Sequence, residues 1–414
     1  MKTFKTTGLC NPAKDYMVDI TKRLEAIKVM VDNGDYFTIN RARQFGKTTT
    51  LSALERYLKD EYSVIRLDFQ RFGEASFRSE EAFVKAFSRA ILQKKQKISI
   101  PKSVAVQLND FVSRATGFAY LDELFYCLID WCRCSEKPVV LIIDEVDSAS
   151  NNQVFIDFLA QLRLQYLDRE DDPDNAAFQS VILAGVNDIR HIKSMLRNDR
   201  DSKINSPWNI AAQFNVDMTL SADGIKGMLD DYDSDHSIGF DTKKIADRIY
   251  KYTYGYPYLV SRICQIIDTE LVPNKFGTLK EAWTDFGFDE AIKILLNEKN
   301  TLFDSLNGKL INYPVLREKL KGILLRGDTL EYLPDDEAQQ QLKMYGFVRN
   351  EHNTCVIFCR IFEMRLYKQF LGESEYNDLK QLGTSEKSSF IEDGILCMPL
   401  RLPQLHGHFA TPCR

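Results

Sequence analysis

Apolar positions along the chain follow two periods, and the change from one to the other lays out its elements. Short apolar, β-branched runs occupy 35–39 (DYFTI), 62–70 (YSVIRLDFQ), 139–143 (VVLII) and 180–186 (SVILAGV), and a last apolar alternation spans 214–220 (FNVDMTL). Continuous runs of this length suit strands buried on both faces, as in parallel sheets. The stretches between them carry apolar residues at helical spacing: LSALERYLKD, EEAFVKAFSRAILQKK, VAVQLNDFVSRA, LDELFYCLIDWC and NNQVFIDFLAQLRLQYLDREDD. Strands alternating with helices predict an α/β fold, a doubly wound parallel five-stranded core over 1–220. The three helices between the second and third strands exceed what one crossover needs. They are read as a helical insertion at about 71–135 on the sheet's face, broken near Ile100 and Pro101, with Leu124, Leu128 and Trp131 as its packing stripe.

Beyond the fifth strand the period becomes purely helical. SADGIKGMLDDY opens on a Ser N-cap, and TKKIADRIYKYT and YPYLVSRICQIIDTEL follow, which predicts a small helical lid over 221–300. Over 301–371 a short helix, PVLREKLKGILL and EAQQQLKMYG precede FVRN, a polar turn at 351–353 and CVIF. Helices closed by a β-hairpin predict a C-terminal winged helix, with RIFEMRLYKQFL packed on it. The tail 372–414 is polar except for ILCMPL, and its segment from about Gly383 is expected to be dispensable for the ATPase.

Three strand ends carry chemistry. The first runs into NRARQFGKTTT and then a helix, the strand, loop and helix of a phosphate cradle. In that geometry the backbone N–H groups over 44–48 point at phosphates and the helix N-terminus adds partial positive charge, so Gln44, Phe45, Gly46 and Thr49 join the binding set. Gly46 lets the backbone come close, Lys47 reaches the β- and γ-phosphates, and the Thr48 hydroxyl ligates Mg²⁺. The usual motif is GxxxxGK[ST], and here Arg41 stands at the first glycine position.

VVLII ends in Asp144 and Glu145, two carboxylates at the carboxyl edge of a strand, where open α/β sheets bind ligands. Asp144 is expected to hold Mg²⁺ through water, and Glu145 to orient and deprotonate the attacking water. SVILAGV ends in Asn187, either a polar residue beside the γ-phosphate or a loop cap. Gly255, Tyr256 and Pro257 join two lid helices, where Gly can end one and Pro can open the next; the functional reading has the same turn pack against adenine. Arg262, one turn on, is either a γ-phosphate contact or a surface helix arginine. These residues predict a Mg-dependent ATPase of slow turnover, with ATP or ADP and Mg²⁺ as its ligands.

Composition narrows the partners. The chain has 414 residues, net charge -5, a pI near 5.7 and 44% hydrophobic content, enough for about two to three cored domains and unlike a protein that coats nucleic acid or an acidic membrane. Residues 301–371 hold ten Lys and Arg against nine Asp and Glu, a balance that favours a protein partner or self-association over DNA. No apolar run approaches a membrane span and the N-terminus lacks a signal-peptide core, so a cytoplasmic location is expected. Nine scattered cysteines do not form a disulfide framework, and neither Cys132 with Cys134 nor the five histidines show transition-metal spacing.

Together YFTINRARQFGKTTTL, VVLIIDEVD, SVILAGVNDI, SPWNIAAQFNVDMTL, YGYPYL and RIFEMRLYKQFL resemble the bacterial AAA-like ATPases of the AAA+/STAND superfamily, over roughly residues 1–395. That group has a P-loop domain, a helical lid and a winged helix, and its P-loop commonly starts on a residue other than glycine. The resemblance implies the roles given above for Lys47, Thr48, Asp144, Glu145 and Asn187. It likens the Gly255, Tyr256 and Pro257 turn to the adenine-contacting turn of STAND switches and has Tyr16, Met17 and Val18 line the base pocket. Many similar proteins continue into a PD-(D/E)XK nuclease-like domain; KSSFIEDGILCMPL resembles its start and RLPQLHGHFATPCR does not continue it, which implies a truncated remnant without a complete nuclease site. The function so implied is an ATP-hydrolysing switch in which Mg-ATP closes the lid and hydrolysis reopens it. The alternatives are a module that holds nucleotide with negligible turnover and a winged-helix DNA-binding regulator.

Overall fold

The computed structural model describes residues 2–114, 119–186 and 208–372, together with the backbone of 391–392 and 395–396. The chain forms two compact units, one of Ile20–Met218 and one of Met1–Asp19 with Thr219–Arg414.

In the first unit the order is α1 (Thr21–Asp32), β1 (Tyr36–Asn40), α2 (Lys47–Leu58), β2 (Ser63–Asp68), α3 (Glu80–Leu92), α4 (Lys102–Ser113), α5 (Leu121–Cys134), β3 (Val139–Asp144), α6 (Gln153–Asp171) and β4 (Ser180–Gly185). The strands pair in parallel in the order β1-β4-β3-β2, with Leu141 opposite both Ile65 and Val181. Every residue of β3 and β4 is buried, as their unbroken apolar runs require of strands covered on both faces. Among the described residues this sheet has four strands, not the five expected.

The predicted fifth strand, 214–220, forms no strand or bridge among the described residues; the one bridge nearby pairs Phe37 with Ala212, two residues before it. Its carbonyls go to arginines instead of a ladder: Arg41 Nη2 donates to Val216 O at 3.1 Å and Arg23 Nε to Asp217 O at 3.3 Å. Phe214 stacks flat on Phe37 at 5.7 Å, so the apolar alternation serves side-chain packing without strand pairing.

One side of the sheet carries an aromatic cluster. Phe158 on α6 touches Phe83 at 5.3 Å, Phe87 at 5.4 Å and Phe125 at 5.3 Å, so α3, α5 and α6 meet on a single ring. Leu124, Leu128 and Trp131 are fully buried in the same cluster. The insertion helices therefore share one core with residues of all four strands.

The second unit comprises α7 (Ala222–His236), α8 (Thr242–Thr253), α9 (Pro257–Gln265), which continues through a π-helical turn to Leu271, and α10 (Asp285–Asn297). It goes on through α11 (Thr301–Asn312), α12 (Pro314–Lys321), β5 (Leu330–Glu331), α13 (Glu337–Met344), β6 (Val348–Glu351), β7 (Thr354–Ile357) and α14 (Arg360–Leu371). Ser221 caps α7 by accepting from the Gly224 N–H at 3.0 Å. The strands form an antiparallel sheet ordered β5-β7-β6, and the hairpin between β6 and β7 turns through His352 (φ 48°) and Asn353 (φ 64°), both left-handed as a two-residue hairpin turn demands. The segments Ile391–Glu392 and Ile395–Leu396 pair antiparallel; the rest of 373–414 lies outside the described residues, as does Asn187.

Candidate functional site

The site starts where β1 gives way to the loop 41–46. Two residues of this loop take left-handed backbone, Gln44 (φ 57°) and Gly46 (φ 79°), and Gly46 is the N-cap of α2. The turn they make aims the N-terminus of α2 at the space inside the loop, where its N–H groups and dipole favour an anion. Lys47 is 6% exposed, with its ammonium donating to Arg41 O at 2.8 Å and Ala42 O at 3.1 Å. Burial pulls its pKa below the usual lysine value, and the charges of Glu145, Asp147 and Asp144 oppose that shift.

Arg41, in place of the motif's first glycine, turns its side chain away from the loop's interior. Besides Val216 O it donates to Asn40 O at 2.9 Å, and its guanidinium lies 5.3 Å over the Phe214 ring. An arginine is tolerated at this position because its bulk packs outward on the 212–217 segment.

Asp144 closes β3 and is 2% exposed. The Thr48 side chain lies beside it, and Arg66 Nη2 on β2 stands 3.6 Å from its carboxylate. Burial raises its pKa above the ordinary aspartate value, while Thr48 and Arg66 pull it down. Glu145 follows in left-handed backbone (φ 55°), a conformation that costs a residue with a Cβ about 1–2 kcal/mol, and its N–H donates to Asp144 Oδ1 at 3.1 Å. Burial also raises the Glu145 carboxyl, and the Lys47 charge partly offsets this. Lysine, hydroxyl and two carboxylates thus converge at the carboxyl end of the sheet.

This donor set fits a magnesium-bound phosphate. Among the described residues no group of three or more His, Cys, Asp and Glu is arranged as a metal cage. Mg²⁺ does not need one, because it keeps several waters and takes one or two protein oxygens plus those of a phosphate. The adjoining Thr48 hydroxyl and Asp144 carboxylate are of that kind.

Two participants escaped the sequence reading. Asp147 Oδ2 accepts the Val186 N–H at 2.5 Å, just past the end of β4, and Arg66 bridges Asp144 and Glu55. Asp147 was visible in VVLIIDEVD; Arg66 has no local signal, since only the register of β2 on β3 brings it there.

Tyr16, Met17, Val18, Gly255, Pro257 and Arg262 belong to the second unit. Tyr16 is buried, donates to Asp235 Oδ2 at 2.9 Å and packs on Phe4 and Tyr232. Met17 is half-buried, and Val18 lies so close to Gly224 that a Cβ there would meet Val18 Cγ1 at 2.6 Å. Gly255 (φ 69°) fits against the backbone of Leu220, whose N–H donates to Gly255 O at 2.8 Å, and Pro257 opens α9. Arg262 is held by Glu298 at 3.0 Å and Glu270 at 2.7 Å.

Similarity to known proteins agrees with this geometry. The chain resembles the Walker-type ATPase of Pyrococcus abyssi (15% identity, 88% of this chain and 99% of that one, TM-score 0.57), which shows the fold. Weaker likenesses are to the ORC2 protein of Aeropyrum pernix in its ADP form (12% identity, 89% and 98% covered, TM-score 0.45) and to Cdc6p of Pyrobaculum aerophilum (15% identity, 89% and 98% covered, TM-score 0.40). No curated protein matches the sequence. The model of the AAA-like domain family matches residues 16–372, and with a Walker-type loop at the tip of β1 and an acidic pair at the tip of β3 the chain belongs to that family of P-loop ATPases.

Proposed function

We propose that the protein is an ATP-hydrolysing molecular switch of the AAA+/STAND type. The observation that carries this reading is the buried Lys47 at the start of α2, just after the left-handed Gly46, with the charges of Asp144 and Glu145 at the end of β3 acting on its ammonium. In this reading the loop 41–48 and Lys47 bind the phosphates, and Thr48 and Asp144 hold Mg²⁺, which supplies charge neutralisation when bound. Glu145 takes the proton of the attacking water; the charge of Lys47 beside it keeps more of the carboxylate ionised than burial alone would.

The readout is assigned to the second unit, with α7 to α10 as the lid and 301–371 as a winged helix. Packing inside that unit supports it. Tyr256, next to Gly255, lies edge-on to Phe358 at 5.6 Å and to Phe362 of α14 at 5.4 Å, and Arg349 of β6 covers the Tyr254 ring at 4.1 Å. A change at this turn is therefore felt by the hairpin and α14. The even charge of 301–371 supports a protein partner, or a second copy of the chain, over DNA. No helix among the described residues is long and apolar enough to cross a membrane; a cytoplasmic location is part of the proposal.

Phosphate release from Mg-ATP by the full chain tests this reading. The wild type should turn over, and Glu145→Gln should bind ATP as well yet release phosphate on the order of 10²- to 10⁴-fold more slowly. ATP bound without turnover in the wild type would make the protein a nucleotide-holding module instead.

A further inference from the structure

Asp147 lies two residues beyond Glu145, in the short 3₁₀ turn Val146–Ser148 that follows β3. Its carboxylate reaches across to the neighbouring strand and accepts the Val186 N–H at 2.5 Å. The fit around it is close: a Cβ added at Gly185 would stand 2.9 Å from Asp147 Oδ2 and 3.0 Å from Val146 Cγ2. Gly185 is also the residue at which β4 meets the phosphate loop, because Arg41 N–H donates to Gly185 O at 3.2 Å and Asn40 pairs with Gly185 in the ladder. One chain of contacts therefore runs from the Glu145 turn through Asp147 to β4 and on to the start of the loop. Glu145 itself is held in left-handed backbone, a conformation that persists only when its surroundings enforce it.

We propose that Asp147 is a positioning residue for hydrolysis: by accepting the Val186 N–H it fixes the turn bearing Glu145 against β4 and so sets where the base stands relative to the phosphate loop. This rests on the ATPase reading above. Asp147 need not touch nucleotide. Its effect falls on the geometry of the base, where a displacement of about 1 Å costs on the order of 10²-fold in rate. Binding is supplied by the loop and Lys47 and should be spared.

The test compares Asp147→Ala and Asp147→Asn in the full chain. Asparagine keeps an oxygen that can accept the Val186 N–H, whereas alanine removes it. Asp147→Ala should lower kcat about 10- to 100-fold with Kd for Mg-ATP within about twofold of wild type, and Asp147→Asn should recover most of that loss. Amide exchange at Val186 should quicken in the alanine variant and not in the asparagine variant. Gly185→Ala, which drives the carboxylate off without altering it, should reproduce the kcat loss and serves if Asp147→Ala does not fold. Wild-type kcat in Asp147→Ala, or equal losses in Ala and Asn, would overturn the positioning role alone; absence of turnover from the wild type would overturn the ATPase reading and this one with it.

Discussion

The Thr48 side chain stands beside the Asp144 carboxylate and draws its pKa down, relating the first turn of α2 to the last residue of β3. A neutral and an anionic oxygen side by side are what a hydrated Mg²⁺ can bridge to a phosphate. If Asp144 and Thr48 hold Mg²⁺ as proposed, Asp144→Ala and Thr48→Ala should each weaken ATP binding at least about tenfold in Mg²⁺, and far less in EDTA, because both would remove metal contacts and leave the loop's N–H groups in place. Titrations with and without Mg²⁺ check this. Equal weakening in both media would place the defect in the loop.

With Glu145 as the proposed base, the pH dependence of turnover should report on its carboxyl. A general base works ionised, and burial raises the Glu145 carboxyl above its ordinary value despite the nearby Lys47 charge. Turnover should therefore fall on acidification at a higher pH than an exposed glutamate would give, with the loss complete once pH lies well below the raised pKa. A kcat profile under saturating Mg-ATP measures it. A flat profile down to the ordinary glutamate range would contradict the assignment.

Much of this site was legible because its parts are local. VVLII and VILAGV are apolar runs, as strands covered on both faces require, and VVLII runs directly into Asp144 at the sheet's carboxyl edge. Gly46, Lys47 and Thr48 are contiguous for the same reason: one turn of backbone makes the cradle. What the sequence concealed depends on distant partners. The alternation of Phe214, Val216, Met218 and Leu220 looks like a strand, yet its carbonyls meet Arg23 and Arg41, whose reach no local pattern records. Arg66 comes to Asp144 only through strand register, and Tyr232 and Asp235 come to Tyr16 only through a chain return of more than two hundred residues.

The aromatic cluster sets the stability of the first unit. Phe158 contacts four other phenylalanines, Phe155 the most distant at 6.4 Å, and is fully buried. Phe158→Ala should cost about 3–5 kcal/mol, since no neighbour on three separate helices can collapse into the space. Urea unfolding followed by fluorescence measures the loss.

Gly255 tests the join between α8 and α9. It combines φ 69° with an added Cβ that would approach Leu220 O to 2.1 Å, so alanine meets both left-handed strain and a backbone clash. Gly255→Ala should destabilise by more than the roughly 1–2 kcal/mol of the strain alone, read as a lower urea midpoint for the second unit. An unchanged midpoint would show that the turn yields freely.

Calorimetric titration of Mg-ATP into the wild-type protein and into Lys47→Ala tests the central claim, that the loop after β1 is a nucleotide phosphate cradle. In the proposed reading the buried Lys47 carries the loop's own cationic side chain to the phosphates, and a charge-assisted contact of this kind is strong. The account predicts saturable binding to the wild type and its loss, or weakening by more than about a hundredfold, in the variant. Wild-type affinity in Lys47→Ala, or no binding to either protein, would contradict it.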